Sequence, residues 1–441
     1  MVRSALFALL ALCATALGQA QTPAVSTPAV LKLTPGPLAG EKGGPGLALR
    51  TRKALTVPLE GVQHIDEAII LIKDGKIVGV GPARSMAVPA GFEVLDVGRQ
   101  WVMPGMIDLH SHIGGTLDIN EMVYLTNPGL RVSASVVPAN AALERSVAAG
   151  VTSVLFIPGS GVNVGGQGVL MKTAHSKYED ALIRDPGSMK LAQAGNPEGW
   201  TVGVGRSFMN WNTRDMFERG MAYAQQWRDY EAGKGPKPVE NFDLQIFRDL
   251  ADRKTQISTH TQIYQVVLTT LMMVRKGFNI DVYIDHGEMA GYKLAGLAQE
   301  LGVAAILGPR VVEVPTRQFI QWTGSNPEAL LGIASEYQKR GHKRIGFNTD
   351  APVIPGEELP LQATMGAHYG FDDSNADTVR GLTIIPAVTA GIDKRVGSIE
   401  VGKDADLVIM TGDPIDPRNS IELVYIDGKR VYDTKKDVRR Y

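Results

Sequence analysis

Two histidines, His110 and His112, stand one residue apart at the end of an apolar run that begins at Met106. On a β-strand, residues two apart point to the same face, so both imidazoles would project side by side. Two neighbouring imidazoles form a bidentate grip on a metal ion. The spacing therefore indicates a metal site, against the plainer interpretation of two polar residues at the end of a strand.

Three further polar residues end apolar runs, namely His260, His286 and Asp350. The chain has 8 histidines, and four of them fall at such predicted strand ends. A single histidine in this position is more often a hydrogen-bonded core residue than a ligand, but the joint pattern favours a shared site. Neutral imidazoles and a carboxylate suit zinc, and also manganese or iron. We interpret His342, which lies among basic residues, as solvent-exposed.

Short apolar strands alternate with amphipathic helical stretches through the middle of the chain, which indicates an α/β fold with a parallel sheet. The strand candidates are 106–109, 151–157, 257–259, 281–284, 303–307 and 345–347. About 285 residues suit a (β/α)8 TIM-like barrel better than an open sheet, and barrel enzymes place their chemistry at the carboxyl ends of the strands. We predict this barrel, as a metal-dependent hydrolase domain, over residues 104–390. Residues 206–255 are interpreted as an inserted helix and loop.

Both ends of the chain contain an Asp-Gly dipeptide between apolar runs, at Asp74-Gly75 and at Asp427-Gly428. This pattern is the strongest short-range indication of a β-hairpin. Because an isolated hairpin is only marginally stable, we expect the two ends to pack together. Residues 46–103 and 391–441 are therefore predicted to form one composite β-sandwich domain.

The N-terminus has the pattern of a signal peptide, in which Arg3 precedes an apolar run at 5–17 and small residues follow. We predict a signal peptide over residues 1–20, a flexible linker over 21–45, and a periplasmic or secreted protein. Cys13 is the only cysteine, and its removal would leave the mature chain without disulfides or zinc–thiolate sites. A retained membrane anchor is the alternative.

Charge is nearly balanced, with 45 Lys and Arg residues against 46 Asp and Glu residues. No basic block stands out, so nucleic acid is not expected as a partner. We expect a small-molecule substrate, no membrane contact after cleavage of the signal peptide, and a homo-oligomer.

The runs Trp101–His112 and Gly397–Val408 resemble motifs of the amidohydrolase superfamily. The second run, with the residues at 412–414 and 426–429, is similar to the imidazolonepropionase-like branch, and the resemblance extends to related metal-dependent dipeptidases. It covers about residues 65 to 434 and implies a barrel flanked by a small β-sandwich. It also assigns metal ligands to the barrel strands: His110 and His112 to strand 1, His260 to strand 5, His286 to strand 6 and Asp350 to strand 8.

In binuclear members of this superfamily, a carboxylated lysine at the end of strand 4 bridges two metal ions, and the resemblance gives this role to Lys190. A lysine must be uncharged to capture CO₂, and burial lowers its pKa toward that state. Lys172 is a competing candidate. If neither lysine is modified, the site holds one metal ion. The expected cofactor is one or two divalent metal ions per chain, with zinc as the first choice.

The resemblance implies hydrolysis of the C–N bond of an amide, such as a dipeptide or a cyclic amide. A metal-activated hydroxide would attack the carbonyl carbon, and Asp350 would act first as general base and then as general acid. Tyr264, four residues after His260, could orient a substrate carbonyl group. Two alternatives remain open: a mononuclear deaminase of a small heterocycle, and a catalytically inactive binding protein.

Overall fold

The computed structural model describes residues 45–116, 119–200, 204–314 and 330–437, together with 316–317, 320–321 and 324. The predicted signal peptide, Cys13 and the linker up to residue 44 lie outside the described residues. Within the described residues, no helix has both the length and the apolar character needed to cross a membrane.

The strands fall into a sheet made from the two chain ends and a barrel made from the middle. In chain order they are β1 (Leu47–Leu55), β2 (His64–Lys73), β3 (Lys76–Pro82), β4 (Glu93–Asp96), β5 (Trp101–Pro104), β6 (Met106–Ser111), β7 (Val151–Phe156), β8 (Val164–Lys172), β9 (Leu182–Ala192), β10 (Ile257–His260), β11 (Ile284–His286), β12 (Ala305–Leu307), β13 (Val312–Glu313), β14 (Leu331–Gly332), β15 (Ile345–Phe347), β16 (Leu407–Met410), β17 (Ile421–Ile426) and β18 (Lys429–Asp433).

The described helices lie mainly between the barrel strands and after them. They are α1 (Ala141–Ala148), α2 (Tyr178–Ala181), α3 (Asn196–Trp200), α4 (Arg206–Glu231), α5 (Ile246–Ala251), α6 (Tyr264–Thr269), α7 (Ala295–Glu300), α8 (Ile333–Lys339), α9 (Leu359–His368), α10 (Asp377–Leu382) and α11 (Ile384–Thr389). A π-helical stretch (Thr270–Gly277) continues α6, and short 3₁₀ turns lie at 132–135, 291–294 and 356–358. The predicted insertion at 206–255 contains α4 and α5.

Strands from both chain ends join in one sheet, with the order β18-β17-β16-β5-β1-β2-β3 and β4 paired to β1. The junction is the antiparallel pair β5–β16, in which Val102 lies opposite Ile409. Asp74-Gly75 and Asp427-Gly428 form the two hairpin turns with positive φ at each residue, as this tight turn requires. The sheet joins residues of the two predicted end segments, whereas the two-layer sandwich stays a prediction.

Eight strands of the middle segment form a TIM-like barrel. Strands β6 to β10 make one run, and β11, β12 and β15 make a second parallel run. Two seams close the ring: the amide of Thr261 donates to the carbonyl oxygen of Asp285 at 3.2 Å, and the amide of His112 donates to that of Ala351 at 2.7 Å. The carboxyl ends of the parallel strands therefore meet at one rim.

The strand β8 departs from the regular alternation, because it runs antiparallel to both β7 and β9. The reason is chain length. Residues 157–163 join β7 to β8, which is shorter than the dozen or so residues that a parallel crossover needs. Residues 173–181 join β8 to β9 and are also too short for a full crossover. The remaining strands carry the parallel order that the sequence predicts.

The interpretation of His342 as solvent-exposed is wrong. Its side chain is buried, and its ring packs edge-to-face on Tyr337, with the ring centroids 5.7 Å apart. The flanking residues Gly341 and Lys343 are exposed, as the basic run suggested. Burial lowers the pKa of His342 to about 4, so this imidazole is neutral in the folded protein at neutral pH.

Candidate metal centre

The six predicted metal ligands lie together at the carboxyl rim of the barrel. Each is carried by a different strand end, apart from the His-x-His pair: His110 in β6, His112 just after β6, Lys190 in β9, His260 at the end of β10, His286 at the end of β11, and Asp350 after β15. In barrel order these strands are the first, fourth, fifth, sixth and eighth, as the resemblance assigned them. Parallel strands thus bring together residues that are up to 240 positions apart.

Three atoms converge at the centre of the site. The Nε2 atom of His110 lies 3.3 Å from Nε2 of His112 and 3.1 Å from Oδ1 of Asp350. The Nε2 atom of His112 lies 3.2 Å from the same oxygen. These three residues form a group whose ligand atoms all lie within 4.8 Å of one another, a spacing suited to holding a metal ion.

A second cluster adjoins the first. The Nζ atom of Lys190 lies 3.3 Å from Nε2 of His110, and Nε2 of His286 lies 3.2 Å from Nδ1 of His260. The rings of His110 and His286 are 4.6 Å apart between centroids, which joins the two clusters. Lys190 is completely buried, so its amine has no access to bulk water.

Hydrogen bonds fix the tautomer of three imidazoles. The Nδ1–H group of His110 donates to Oδ2 of Asp285 at 2.7 Å, that of His112 donates to the carbonyl oxygen of Ile157 at 2.8 Å, and that of His286 donates to the carbonyl oxygen of Gly308 at 2.8 Å. Because Nδ1 carries the proton in each, the Nε2 lone pair faces the interior of the site.

The arrangement fits a cation. Inward-facing lone pairs would repel one another at 3.2–3.3 Å, and a buried acceptor without a donor is costly. The Nε2 atom of His260 is buried and has no hydrogen-bond partner among the described residues. A divalent metal ion takes up the lone pairs of several such nitrogens at once.

The electrostatics keep His260, His286 and Asp350 in a metal-binding state, whereas His110 has to release a proton when it binds a metal ion. Burial lowers the pKa of His260 to about 3, and burial also holds the pKa of His286 well below its usual range. Burial alone would raise the pKa of Asp350, but the charge of His110 and the hydrogen bonds from His110 and His112 outweigh it and lower this pKa well below its usual range. For His110, burial is outweighed by the carboxylates of Asp285 and Asp350, which raise its pKa to about 9. The same carboxylates attract a metal cation.

Two ligands adopt strained backbone. His286 and Asp350 have φ of 74° and 50°, in the left-handed region that non-glycine residues rarely occupy. Such residues cost on the order of 1 kcal/mol or more each and cluster at functional sites. Both stand at the point where a barrel strand turns into a loop, so the strain aims their side chains into the rim.

Comparisons with known proteins show which families this chain is similar to. The Amidohydrolase family model matches residues 339–431. The chain is 24% identical over 411 residues to Amidohydrolase tasK of Hapsidospora irregularis, which covers 82% of this chain but only 40% of that protein. It is 25% identical over 392 residues to an imidazolonepropionase of Sphingopyxis alaskensis, covering 82% of this chain and 89% of that protein.

A solved structure of an amidohydrolase from Thermotoga maritima is similar with a TM-score of 0.76 and 26% identity, covering 88% of this chain and 100% of that one. The chain is therefore similar to members of the amidohydrolase superfamily over most of its length. The candidate ligands described above lie at the strand ends to which this resemblance assigned them.

The two candidate lysines have opposite surroundings. Burial lowers the pKa of Lys190 to about 8, which makes its amine partly neutral. Lys172 lies away from the centre and donates to the carboxylates of Asp404 at 2.8 Å, Asp406 at 3.1 Å and Asp427. Burial opposes the charge of Lys172, but the three carboxylates raise its pKa above the usual range. Lys172 therefore stays charged and joins the barrel to the sheet.

Two buried aspartates were not predicted from the sequence. Asp285 accepts from His110 and, at 2.9 Å, from the side-chain amide of Asn348. Asp108 accepts the hydroxyl proton of Thr349 at 2.5 Å and the amide proton of His110 at 3.0 Å. Both lie inside apolar runs that end in a ligand histidine. A carboxylate within such a run is unusual, and this could have indicated a role beside the metal ligands.

A cavity of about 250 Å³ opens beside the centre, between the loops that follow β11 and β12. Glu288, two residues after His286, and Glu313 line it, each with one buried oxygen that has no hydrogen-bond partner among the described residues. The other oxygen of Glu288 accepts from the amide of Arg310 at 2.9 Å. Burial raises the pKa of Glu288 to about 8 and that of Glu313 to about 7.

The predicted substrate contact Tyr264 begins α6, four residues after His260. Its amide donates to the carbonyl oxygen of Met289 at 3.3 Å, and its half-buried side chain packs partly against the barrel core. Tyr264 therefore lies in the chain segment next to the cavity, and its role toward a substrate stays a prediction.

Proposed function

We propose that this protein is a metal-dependent hydrolase that cleaves the C–N bond of an amide, either a cyclic amide or a dipeptide. One observation carries the proposal: two imidazoles, His110 and His112, have Nδ1 tied to fixed acceptors, and their Nε2 atoms both lie next to the carboxylate of Asp350. The likeness to an imidazolonepropionase, whose name describes a cyclic-amide substrate, supports the reaction class.

The donor set divides into two groups that adjoin each other at His110. His110, His112 and Asp350 would hold one metal ion, with zinc proposed as its identity. A carboxylated Lys190, whose Nζ atom lies 3.3 Å from Nε2 of His110, would hold a second ion together with His260 and His286. When bound, the metal ion supplies Lewis acidity, which lowers the pKa of water toward neutrality and polarises a carbonyl group.

The carboxylate of Asp350 is suited to move one proton. It lies at the rim, is slightly more exposed than the imidazoles around it, and carries two oxygens, of which Oδ1 already faces His110 and His112. Its remaining oxygen can accept the proton of the attacking water. Because the pKa of Asp350 is low, the proton does not stay there, and the more basic leaving nitrogen takes it. Asp350 thus acts as general base and then as general acid.

The substrate is proposed to bind in the cavity beside the centre. Glu288 and Glu313 each offer a carboxyl oxygen that has no hydrogen-bond partner among the described residues. This favours substrates that carry hydrogen-bond donors and, above the raised pKa values of the two carboxyl groups, substrates with a positive charge. The exposed guanidinium group of Arg310, 3.9 Å from Glu288, can reach a substrate carboxylate. The apolar side chains of Met289 and Val312 exclude water from the remaining wall. We propose Tyr264 as a contact to the substrate carbonyl oxygen.

The experiment that tests the proposal measures metal content and hydrolysis together. Purified protein, loaded with zinc and gel-filtered, is expected to hold two metal ions per chain and to hydrolyse members of a panel of dipeptides and cyclic amides. The variant Lys190→Ala should hold one ion, while the exposed control Lys343→Ala should hold two. After chelation, recovery of wild-type activity with zinc should depend on added bicarbonate, because Lys190 needs CO₂.

Two outcomes would redirect the proposal. If Lys190→Ala keeps the wild-type metal content, Lys190 is not the bridge. If the wild type holds one ion and releases ammonia from small heterocycles while leaving amides intact, it is a mononuclear deaminase. Protein that holds no metal ion and turns over no substrate would be a binding protein.

We also propose that the protein is exported to the periplasm or secreted, from the pattern of residues 1–20. Cell fractionation of the full-length chain, with N-terminal sequencing of the exported form, tests this. Mature protein that begins near residue 20 is expected, and a full-length chain confined to the cytoplasm would contradict it.

A further inference from the structure

A second cavity lies at the opposite rim of the barrel, where the amino ends of β10, β11, β12 and β15 meet the start of β9. Its volume is about 380 Å³. Five cationic side chains line it and only one carboxylate does. The cations are Arg184, Arg253, Lys254, Arg275 and Arg344, and the carboxylate is Asp281.

The acidic groups nearby do not balance these cations. Asp281 is shared, since its Oδ1 atom accepts from Arg275 at 2.9 Å and also from Arg253. Lys254 pairs with Asp252 outside the cavity lining, at 3.1 Å. Arg344 donates only to a backbone carbonyl oxygen, that of Gly302 at 3.4 Å, among its described contacts. The cavity therefore carries a net positive charge.

Arg184 is likewise without an acidic partner among the described residues. Its guanidinium group donates to the carbonyl oxygens of Ala390 and Gly187, both at 2.8 Å, and to Oε1 of Gln256 at 2.6 Å. The Nε–H group of the same side chain is buried and has no acceptor. Part of the bonding capacity of this cation is therefore unused.

Gln256 provides an independent indication of a ligand. Its side chain is only 5% exposed, and the bond from Arg184 fixes which end of its amide is the oxygen. The Nε2 group is therefore a defined donor, and it is buried without an acceptor. Two buried donors without acceptors in one positively charged cavity require an acceptor with negative charge, because leaving them unpaired is costly.

We propose that this cavity binds a multivalent oxyanion of the phosphate class. Such an anion has enough oxygens to accept from Arg184 Nε and Gln256 Nε2 and to pair with Arg344 and Arg253. The site is separate from the metal centre, because β10 runs from Gln256 at the cavity to His260 at the centre. Four residues of extended strand span roughly 13 Å, so the anion cannot contact the metal ligands.

The test uses the metal-loaded full-length protein and measures binding of inorganic phosphate and pyrophosphate by calorimetry, with sodium chloride holding the ionic strength constant. Malonate forms a separate arm, because a dicarboxylate shares the charge but not the tetrahedral shape. The variants are Arg344→Gln, which removes an exposed cation, and Gln256→Glu, which keeps the acceptor for Arg184 but replaces the free donor by a carboxylate. The control is Arg418→Gln, which changes an exposed arginine in the connection between β16 and β17.

We expect saturable binding of pyrophosphate, and more weakly of phosphate, that falls about tenfold or more in Arg344→Gln and Gln256→Glu and stays at the wild-type level in Arg418→Gln. Oxyanion bound to the metal centre would be unaffected by Arg344→Gln, so equal binding in the wild type and this variant overturns the proposal. Absence of saturable binding also overturns it. Malonate binding as tight as pyrophosphate binding overturns the assignment to the phosphate class.

Discussion

Replacing Asp285 by asparagine tests whether the second layer of the centre holds the imidazole of His110 in place. The two oxygens of Asp285 both accept: Oδ2 from Nδ1–H of His110 at 2.7 Å and Oδ1 from the amide of Asn348 at 2.9 Å. An asparagine has only one oxygen, so in either orientation its NH₂ group would face a donor. Both partners are completely buried, and water cannot relieve this conflict.

The expected loss follows from the kind of bond removed. A carboxylate that orients a metal-binding histidine is worth about 10–100-fold in metal affinity, which corresponds to about 1.4–2.7 kcal/mol. Zinc dissociation constants measured by chelator competition should therefore rise by this factor in Asp285→Asn. The exposed Asp416→Asn carries the same change in charge far from the centre and should bind zinc as the wild type does.

The readout separates positioning from general stability. Urea unfolding of the metal-free protein reports on the fold, and the difference between zinc-loaded and metal-free protein reports on the centre. If Asp285→Asn unfolds earlier in both forms by the same amount, its role is structural only. An unchanged zinc dissociation constant in a folded variant would show that the hydrogen bond at Nδ1 does not orient the Nε2 lone pair of His110, and the reasoning would be wrong.

Three other predictions concern single groups. His342 has a pKa of about 4 in the fold against 6.5 in the unfolded chain, so its neutral form stabilises the fold above pH 6.5 and this contribution is lost as the pH falls toward 4. Between pH 7 and pH 5 this contribution to the free energy of unfolding falls by about 2 kcal/mol. In urea titrations, the difference in free energy of unfolding between wild type and His342→Gln should narrow by that amount, and a difference that stays constant contradicts the prediction. Lys172→Met removes the buried cation that three carboxylates share and should lower the free energy of unfolding by about 3–5 kcal/mol; a loss below 1 kcal/mol would show that the cluster is not a coupled unit. Above pH 8, where the carboxyl of Glu288 is ionised, Glu288→Gln should lower kcat/KM for cationic substrates more than for neutral ones of equal size, by about tenfold, and equal losses would remove charge recognition from the cavity.

The centre could be predicted from the sequence because its ligands follow a rule that depends on position in the chain. Polar residues at the ends of predicted parallel strands must meet at one rim, whatever the helices between them do. His110, His260, His286 and Asp350 satisfied this rule, and the structure brings them together. Six of the eight barrel strands were readable for the same reason, since buried parallel strands are short apolar runs, whereas β8 and β9 were not among the candidates.

The features that sequence reasoning missed depend on packing between distant segments. Nothing local indicates that Asp285 accepts from His110, 175 positions earlier, because the pairing requires the closed ring. The burial of His342 is likewise set by Tyr337 and the helix around it, whereas its neighbours in the chain are charged. The reversal of β8 could have been predicted from the short connections on either side, because a parallel crossover needs more residues.

The choice between the two groups of candidate ligands follows from the hydrogen bonds. His110 belongs to both: one group pairs it with His112 and Asp350, the other with Asp285 and His286. If Nδ1 of His110 bound a metal ion, its 2.7 Å hydrogen bond to Asp285 would be lost. The carboxylate of Asp285 would then face the metal ion instead of the Nδ1 proton. Using Nε2 costs no bond, since that atom faces only other acceptors and Lys190. His110 is therefore expected to bind through Nε2, in the group with His112 and Asp350, and Asp285 acts through His110 by raising the basicity of its Nε2 atom. A variant that keeps a carboxylate at 285 but shifts it, Asp285→Glu, should then weaken zinc binding without changing the number of zinc ions bound.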